Sequence, residues 1–244
     1  MELDKCIKTR RSIRKYIDKE VHWDLVAKII DAGRLAPSAG NLQNWKFIAV
    51  LDKGKKQKIT EACLQQTWMN KAPVHILVVA EPKKAERYYG TRGERLYSIQ
   101  NCAAAVENML LMAHNLDLGA CWVGAFDENM LGRAVGLPDE ARPQAVITIG
   151  YPAEKIKEPA KFPIENVAYF NSWRGKIKDV AGYMGYHSVK VQKGLQKGKK
   201  ALKKGTEKAA EKAKDVAKKI KKRIEEKQKK SNNKKKFKEV HNAK

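Results

Sequence analysis

Ala36–Leu51 reads APSAGNLQNWKFIAVL, a chain break followed directly by a strand. Proline fixes φ, glycine and asparagine tolerate left-handed φ, and serine bonds its own backbone, so Pro37-Ser38-Ala39-Gly40-Asn41 ends whatever precedes it. Lys46–Leu51 (KFIAVL) then has the aromatic and β-branched content of a strand. Upstream, His22–Leu35 places Leu25, Ile29 and Ala32 on one face at helical spacing, with Val26, Ile30 and Gly33 beside them. Further back, Leu3 and Ile7 mark a short opening helix that stops at Arg10-Arg11. Downstream, Lys53–Gln66 predicts a helix, and Val74–Ala80, entered through Pro73, a strand. Glu94–Asn115, rich in Ala, Leu and Met, predicts a long helix ending at Asp117-Leu118-Gly119. Ala120–Ala125 and Gln144–Gly150 read as buried strands, with a short helix Glu128–Val135 between them closed by Gly136-Leu137-Pro138. Strands and helices mix without strict βαβ alternation, so an α+β domain with a mixed sheet flanked by helices is expected. The chain has no GxGxxG after its first strand and no GxxxxGK[ST], which argues against a classical dinucleotide fold and a P-loop.

Charge divides the chain. Of 51 basic and 27 acidic residues, 23 and 6 fall in 188–244, a net +17 out of +24. Residues 1–187 therefore read as an ordinary, mildly basic globular domain, and 188–244 as a Lys-rich tail with too few large apolar residues to fold alone. In the tail, Leu195, Leu202, Ala209, Ala213, Val216, Ile220 and Ile224 make a narrow apolar stripe, predicting an amphipathic helix, and the sequence after Lys229 reads as disordered. No apolar run approaches the length of a membrane span, and MELDKCIKTRR has no secretory h-region. A cytoplasmic location is expected. Cys6, Cys63, Cys102 and Cys121 are widely separated, and the histidines are as dispersed, so neither a metal site nor a disulfide framework is expected.

Three segments carry candidate chemistry. Arg10-Arg11-Ser12-Ile13-Arg14 concentrates guanidinium groups that donate forked hydrogen bonds to phosphate oxygens, or else forms a solvated basic turn. Ala36–Asn44 offers close backbone approach and directional groups on Ser38, Asn41 and Gln43, or else a helix-terminating loop. Gly119–Phe126 (GACWVGAF) places Gly124 where a ligand or another backbone comes close, or marks a bulge in a buried strand. No Ser/His/Asp or paired-carboxylate arrangement suggests a catalytic side chain.

Together and in this order, RRSIRKY, APSAGNLQNWKF, KAPVHILVVA, LGACWVGAF, VGLP and ITIGYP closely resemble the nitroreductase family of FMN enzymes, from about Leu3 to Arg174. The resemblance implies a mainly antiparallel central sheet in an intertwined homodimer, with an FMN site built from both chains at each end of the interface. It implies that Arg10, Arg11, Ser12 and Arg14 hold the FMN phosphate and ribityl chain, with Arg174 in NSWRGK as a second phosphate anchor. Pro37, Ser38, Ala39, Asn41 and Gln43 would come from the partner to face the ring. Gly124 and Ala125 would present backbone N–H groups near ring N5 and O4, and Gln66 would touch the pyrimidine edge. Asn44 departs from the pattern, since many relatives have a proline before the Trp.

The implied activity is transfer of hydride from NAD(P)H through the flavin to a nitroaromatic or quinone-like acceptor by a ping-pong cycle. Relatives that fragment their own flavin or reductively dehalogenate share these segments. A third alternative is a nucleic-acid- or membrane-binding protein with a flavin domain as its dimerising scaffold. The tail itself admits three readings: a solubilising extension, a nonspecific nucleic-acid contact through phosphate neutralisation, or a contact with an anionic membrane surface.

Overall fold

A computed structural model describes residues 1–175, 185–187, 191–208, 211 and 214. Two compact units are distinguished, Met1–Pro159 and Ala160–Lys244.

The first unit holds a four-stranded antiparallel sheet in the order β1-β2-β4-β3: β1 Trp45–Val50, β2 Val74–Ala80, β3 Gly119–Val123 and β4 Arg142–Gly150. A single parallel bridge, Ser12 with Ala120, extends it at the β3 edge. Six helices pack around the sheet: α1 Leu3–Thr9, α2 Trp23–Arg34, α3 Lys53–Ala62, α4 Pro82–Arg92, α5 Ser98–Asn115 and α6 Glu128–Val135.

Strand β2, apolar except for His75, is buried throughout, as befits a central strand covered on both faces. Its side chains alternate. Val74, Ile76, Val78 and Ala80 join the core beneath α2 and α5, whereas Leu77 and Val79 join the core beneath α3 and α6. The register shifts between Val78 and Val79, where β4 brings Pro143, a residue without a ladder donor, into the pair. Asp52 and Asp127 cap α3 and α6 by accepting the N–H of Lys55 and Met130, and Gly136 closes α6 at φ 72.

The structure departs from the sequence reading at three places. The helix expected over Lys53–Gln66 stops at Ala62, because Leu64 and Gln65 turn left-handed at φ 56. Gly124 and Ala125, expected inside a strand, follow its end at Val123 and are exposed. The segment before the long helix folds as α4, kinks at Gly90 (φ 56, ψ −150) and passes through a π-helical turn at Gly93–Tyr97 into α5.

His75 of β2 is fully buried, with Nε2 2.9 Å from the Met69 carbonyl and Nδ1 buried without a hydrogen-bond partner. Burial lowers its pKa from 6.5 to about 4; the Met69 bond opposes the shift and the nearby Lys56 ammonium adds to it. The folded value is depressed, so its stabilising contribution is complete above the unfolded pKa near 6.5 and is lost as pH falls to about 4. At pH 4 the flavin-free protein should be about 3 kcal/mol less stable on this account than at pH 7. Urea unfolding at both pH values checks this. His75→Leu should remove that part of the acid dependence, and an unchanged acid slope in the variant would refute the assignment.

The second unit contains a short helix α7, Ile164–Val167, a turn closed by the Phe170 N–H on the Gly175 carbonyl, and helical residues 191–208. Of the predicted apolar stripe, Leu195 and Leu202 lie on that helix and are exposed. Ala209, Ala213, Val216, Ile220, Ile224 and the sequence after Lys229 lie outside the described residues.

Candidate functional site

The basic segment leaves α1 and runs along the β3 edge. Ile13 N–H donates to the Ala120 carbonyl at 3.0 Å, and Ile17 N–H to Tyr151 at 2.9 Å. The approach is close enough that a Cβ on Gly119 would lie 2.8 Å from Ile13 Cγ2, so glycine is required there. Tyr16 is buried and anchors the segment, its hydroxyl 2.7 Å from both the Ile13 carbonyl and Thr148 Oγ1. Burial raises its pKa and keeps it protonated. Glu154 Oε1 accepts the backbone N–H groups of Arg14 (2.9 Å) and Lys15 (3.1 Å).

With its backbone held this way, the segment leaves its guanidinium groups loosely engaged. Arg10 Nε is 3.7 Å from Glu107, and one terminal nitrogen of Arg11 is 3.7 Å from Glu158. The other donates to the carbonyls of Lys8 and Arg10 at 2.8 and 2.7 Å. Arg11 Nε is buried without a partner. Arg14 lies over the ring of Trp68 at 5.8 Å. Burial raises the pKa of the Cys121 thiol, against the pull of the Arg14 guanidinium and the Ser12 side chain.

Two further segments converge here. Trp68, in a 3-10 turn at Thr67–Lys71, packs against Ile13 and Tyr16, which brings Gln66 to this side of the sheet with its amide on the Cys63 carbonyl at 3.1 Å. The segment after β3 is tied to the end of α3 by the Asp127 N–H on the Ala62 carbonyl at 2.9 Å. Gly124 and Ala125 therefore follow the last paired residue, Val123, with backbone groups beyond the ladder. Arg10, Arg11, Ser12 and Arg14 thus lie along the β3 edge, Gln66 is two residues from the Trp68 ring under Arg14, and Gly124 and Ala125 lie just past the end of β3 with exposed backbone.

The loop Pro37–Gln43 is elsewhere. It leads into β1 at the opposite edge of the sheet, beside the Ala80 end of β2 and the Arg142 end of β4. Ser12 stands instead beside Ala120, which pairs with Ile149 at the other end of β4. The loop is left-handed at Gly40, Asn41 and Gln43 (φ 54, 55 and 48). Ser38 Oγ accepts the Gln43 N–H at 3.0 Å, and the Gln43 amide donates to Asn41 Oδ1 at 3.1 Å. Pro37, Asn41 and Gln43 are exposed, and Ser38 and Ala39 half-buried. Arg174 belongs to the second unit, exposed, at φ 62.

Sequence reasoning missed the groups that hold these segments in place: Glu154 behind the arginines, and Asn101 and Ser98 behind the loop. Asn44 was visible as a departure, and the structure buries it completely between Ser98 and Asn101. Among the described residues no group of His, Cys, Asp or Glu is arranged to hold a metal ion.

The sequence model described as "Nitroreductase family" matches residues 7–71 and 55–151. A Methanothermobacter thermautotrophicus protein named as an NADH dehydrogenase/NAD(P)H nitroreductase is 39% identical over 158 residues, covering 63% of this chain and 79% of that protein. A Bacillus subtilis protein named FMN reductase [NAD(P)H] is 31% identical over 179 residues, covering 68% and 72%. The solved structure of an FMN-dependent nitroreductase from Clostridium difficile superposes with a TM-score of 0.61 at 27% identity, covering 70% of this chain and 99% of that one.

Proposed function

The chain belongs to the nitroreductase family, and on that premise we propose that it is an FMN-dependent oxidoreductase drawing electrons from NAD(P)H and delivering them to a small nitroaromatic or quinone-like acceptor in a ping-pong cycle. The observation that carries this reading is the half-site on β3. Its residues fit the group: Arg11 Nε is a buried donor in need of an acceptor, within a cluster of guanidinium groups suited to a phosphate. From Ala120, beside Ser12, to Gly124 the chain rises about 13 Å, a span suited to a phosphate at one end and a ring at the other.

When bound, FMN supplies the hydride chemistry. Arg10, Arg11, Ser12 and Arg14 would hold its phosphate and ribityl chain. Gly124 and Ala125, free of the ladder, would donate backbone N–H bonds at the ring edge where negative charge develops. Gln66 would bond the pyrimidine edge, and Arg174 would add a second phosphate contact. Pro37, Ser38, Ala39, Asn41 and Gln43 would be contributed by the partner of a homodimer. Their placement at the β1 edge, on the other side of the sheet from β3 and far from Ser12, supports this. No side chain is required as nucleophile or general base.

The organisation proposed is a flavin domain over 1–187 and a basic tail over 188–244. Among the described residues no helix is long and apolar enough to cross a membrane. The tail's net charge of +17 supports contact with a polyanion, either nucleic acid or an anionic membrane surface, in which two tails of a dimer would act together.

Absorbance of the purified protein, followed by anaerobic addition of NADH or NADPH, tests the reading. A flavin spectrum that bleaches with nucleotide and returns with a quinone or nitroaromatic is expected. A flavin that resists both nucleotides would turn the assignment toward fragmenting or dehalogenating chemistry. No flavin, even after reconstitution with FMN, would overturn it.

A further inference from the structure

Asn44, Ser98 and Asn101 are 0, 1 and 4% exposed, and they bond one another. The chain of bonds has a direction. Ala39 N–H donates to Asn101 Oδ1 at 2.9 Å, which leaves the Asn101 amide nitrogen to donate to Asn44 Oδ1 at 2.7 Å. That in turn aims Asn44 Nδ2 at Ser98 Oγ (3.0 Å) and the Glu81 carbonyl (3.3 Å). The Ser98 hydroxyl then donates to the Gly93 carbonyl at 3.0 Å. Each amide is oriented by the one before it, since flipping either would set donor against donor. A buried amide group left unpaired is costly, so the network closes only with the Ala39 N–H at the Asn101 oxygen.

The loop has few other ties. Asn41 and Gln43 are exposed and left-handed, and the loop's internal bonds fix its shape but not its height over the sheet. The second tie comes from α4, where a Cβ on Gly40 would meet the Tyr89 hydroxyl.

We propose that Asn101 and Asn44 are positioning residues which, through the Ala39 N–H, set the loop Ser38–Gln43 at the height needed to face the flavin. The proposal rests on the functional reading above, in which that loop faces the ring. It assigns a role to Asn44 that a proline at this position cannot fill, because proline has no side-chain amide to pass on the bond from Asn101.

The test uses the full-length protein loaded with FMN. Asn101→Leu removes the acceptor for Ala39 at similar volume. It should raise the FMN dissociation constant about tenfold or more and slow flavin reduction by NAD(P)H by a similar factor, since small displacements of positioning groups carry such penalties. Asn101→Asp keeps an oxygen facing Ala39 but loses the donor to Asn44 Oδ1, so it should recover part of both losses. Val106→Ala, fully buried on the same helix and outside the network, is the stability control. It should lower the unfolding temperature while leaving both flavin measurements within about twofold of wild type. If Asn101→Leu loses stability as Val106→Ala does but, like it, leaves both flavin measurements within about twofold of wild type, and the aspartate variant changes neither, the network is merely structural. If wild-type protein binds no FMN, the functional reading fails first and takes this proposal with it.

Discussion

Arg11→Ala should weaken FMN binding by about 2–3 kcal/mol, roughly 30- to 150-fold, while leaving the flavin-free protein about as stable as before. The expectation comes from an asymmetry in how Arg11 is held. Its terminal nitrogens bond the Lys8 and Arg10 carbonyls and reach Glu158 only at 3.7 Å, while Nε is buried with no partner. A buried donor without an acceptor lowers stability, so truncation removes a penalty together with the carbonyl bonds. The two effects oppose, and the unfolding temperature of the flavin-free protein should move by no more than about 3 °C. A bound phosphate would give Nε its acceptor through a charge-assisted bond, the stronger kind, and truncation forfeits that entirely. Arg11→Lys keeps the charge without the fork and should fall between the two. Fluorescence titration of FMN and thermal unfolding of the flavin-free protein measure the two sides. Unchanged FMN affinity with a clear loss of stability would make Arg11 a residue of the fold alone.

What the sequence disclosed of this fold follows from how locally each signal is encoded. Strand β2 announced itself because all of its residues but His75 are apolar, and α6 because Asp127 and Gly136 cap it at both ends within a few residues. Helix α4 was silent for the opposite reason. Of its residues only Ala85 is buried, so no apolar period marks it, and Gly90 interrupts what pattern remains. The early end of α3 was equally hidden, because Leu64 and Gln65 rarely adopt the left-handed conformation they take here. In the site, the arginine segment was legible as a cluster of one chemistry in adjacent residues. The bond between Asn44 and Asn101 joins residues 57 apart in the chain, and neither asparagine carries a local sign of the other. Strand order was not legible either, and it is strand order that separates the two groups of candidate residues.

That separation leads to the second large effect. Along β4, Ser12 and the loop before Trp45 are offset by the seven residues from Arg142 to Ile149, and across the sheet by the spacing from β3 to β1. One of those residues is bulged, so at about 3.3 Å per residue and about 4.8 Å per strand these give about 20 and 14 Å, a diagonal of about 24 Å. On the reading proposed above, a complete site takes the arginine half from one chain and the loop half from another. Arg11→Ala disables the first half. Ser38→Ala with Asn41→Gly disables the second by removing two side chains while glycine keeps the left-handed φ of 55 at little cost. Each variant alone should be nearly inactive at limiting FMN. Mixed in equal amounts under conditions of subunit exchange, half of the symmetric dimers would be hybrid, and each hybrid has one site with both intact halves and one with neither. Activity should therefore rise from near zero to about a quarter of the wild-type value. Two halves acting within a single chain could not be restored by mixing, since every chain in the mixture carries one defect. Recovery that follows the time course of subunit exchange would tie the intact site to the hybrid dimer, and no recovery after complete exchange would place both halves in one chain.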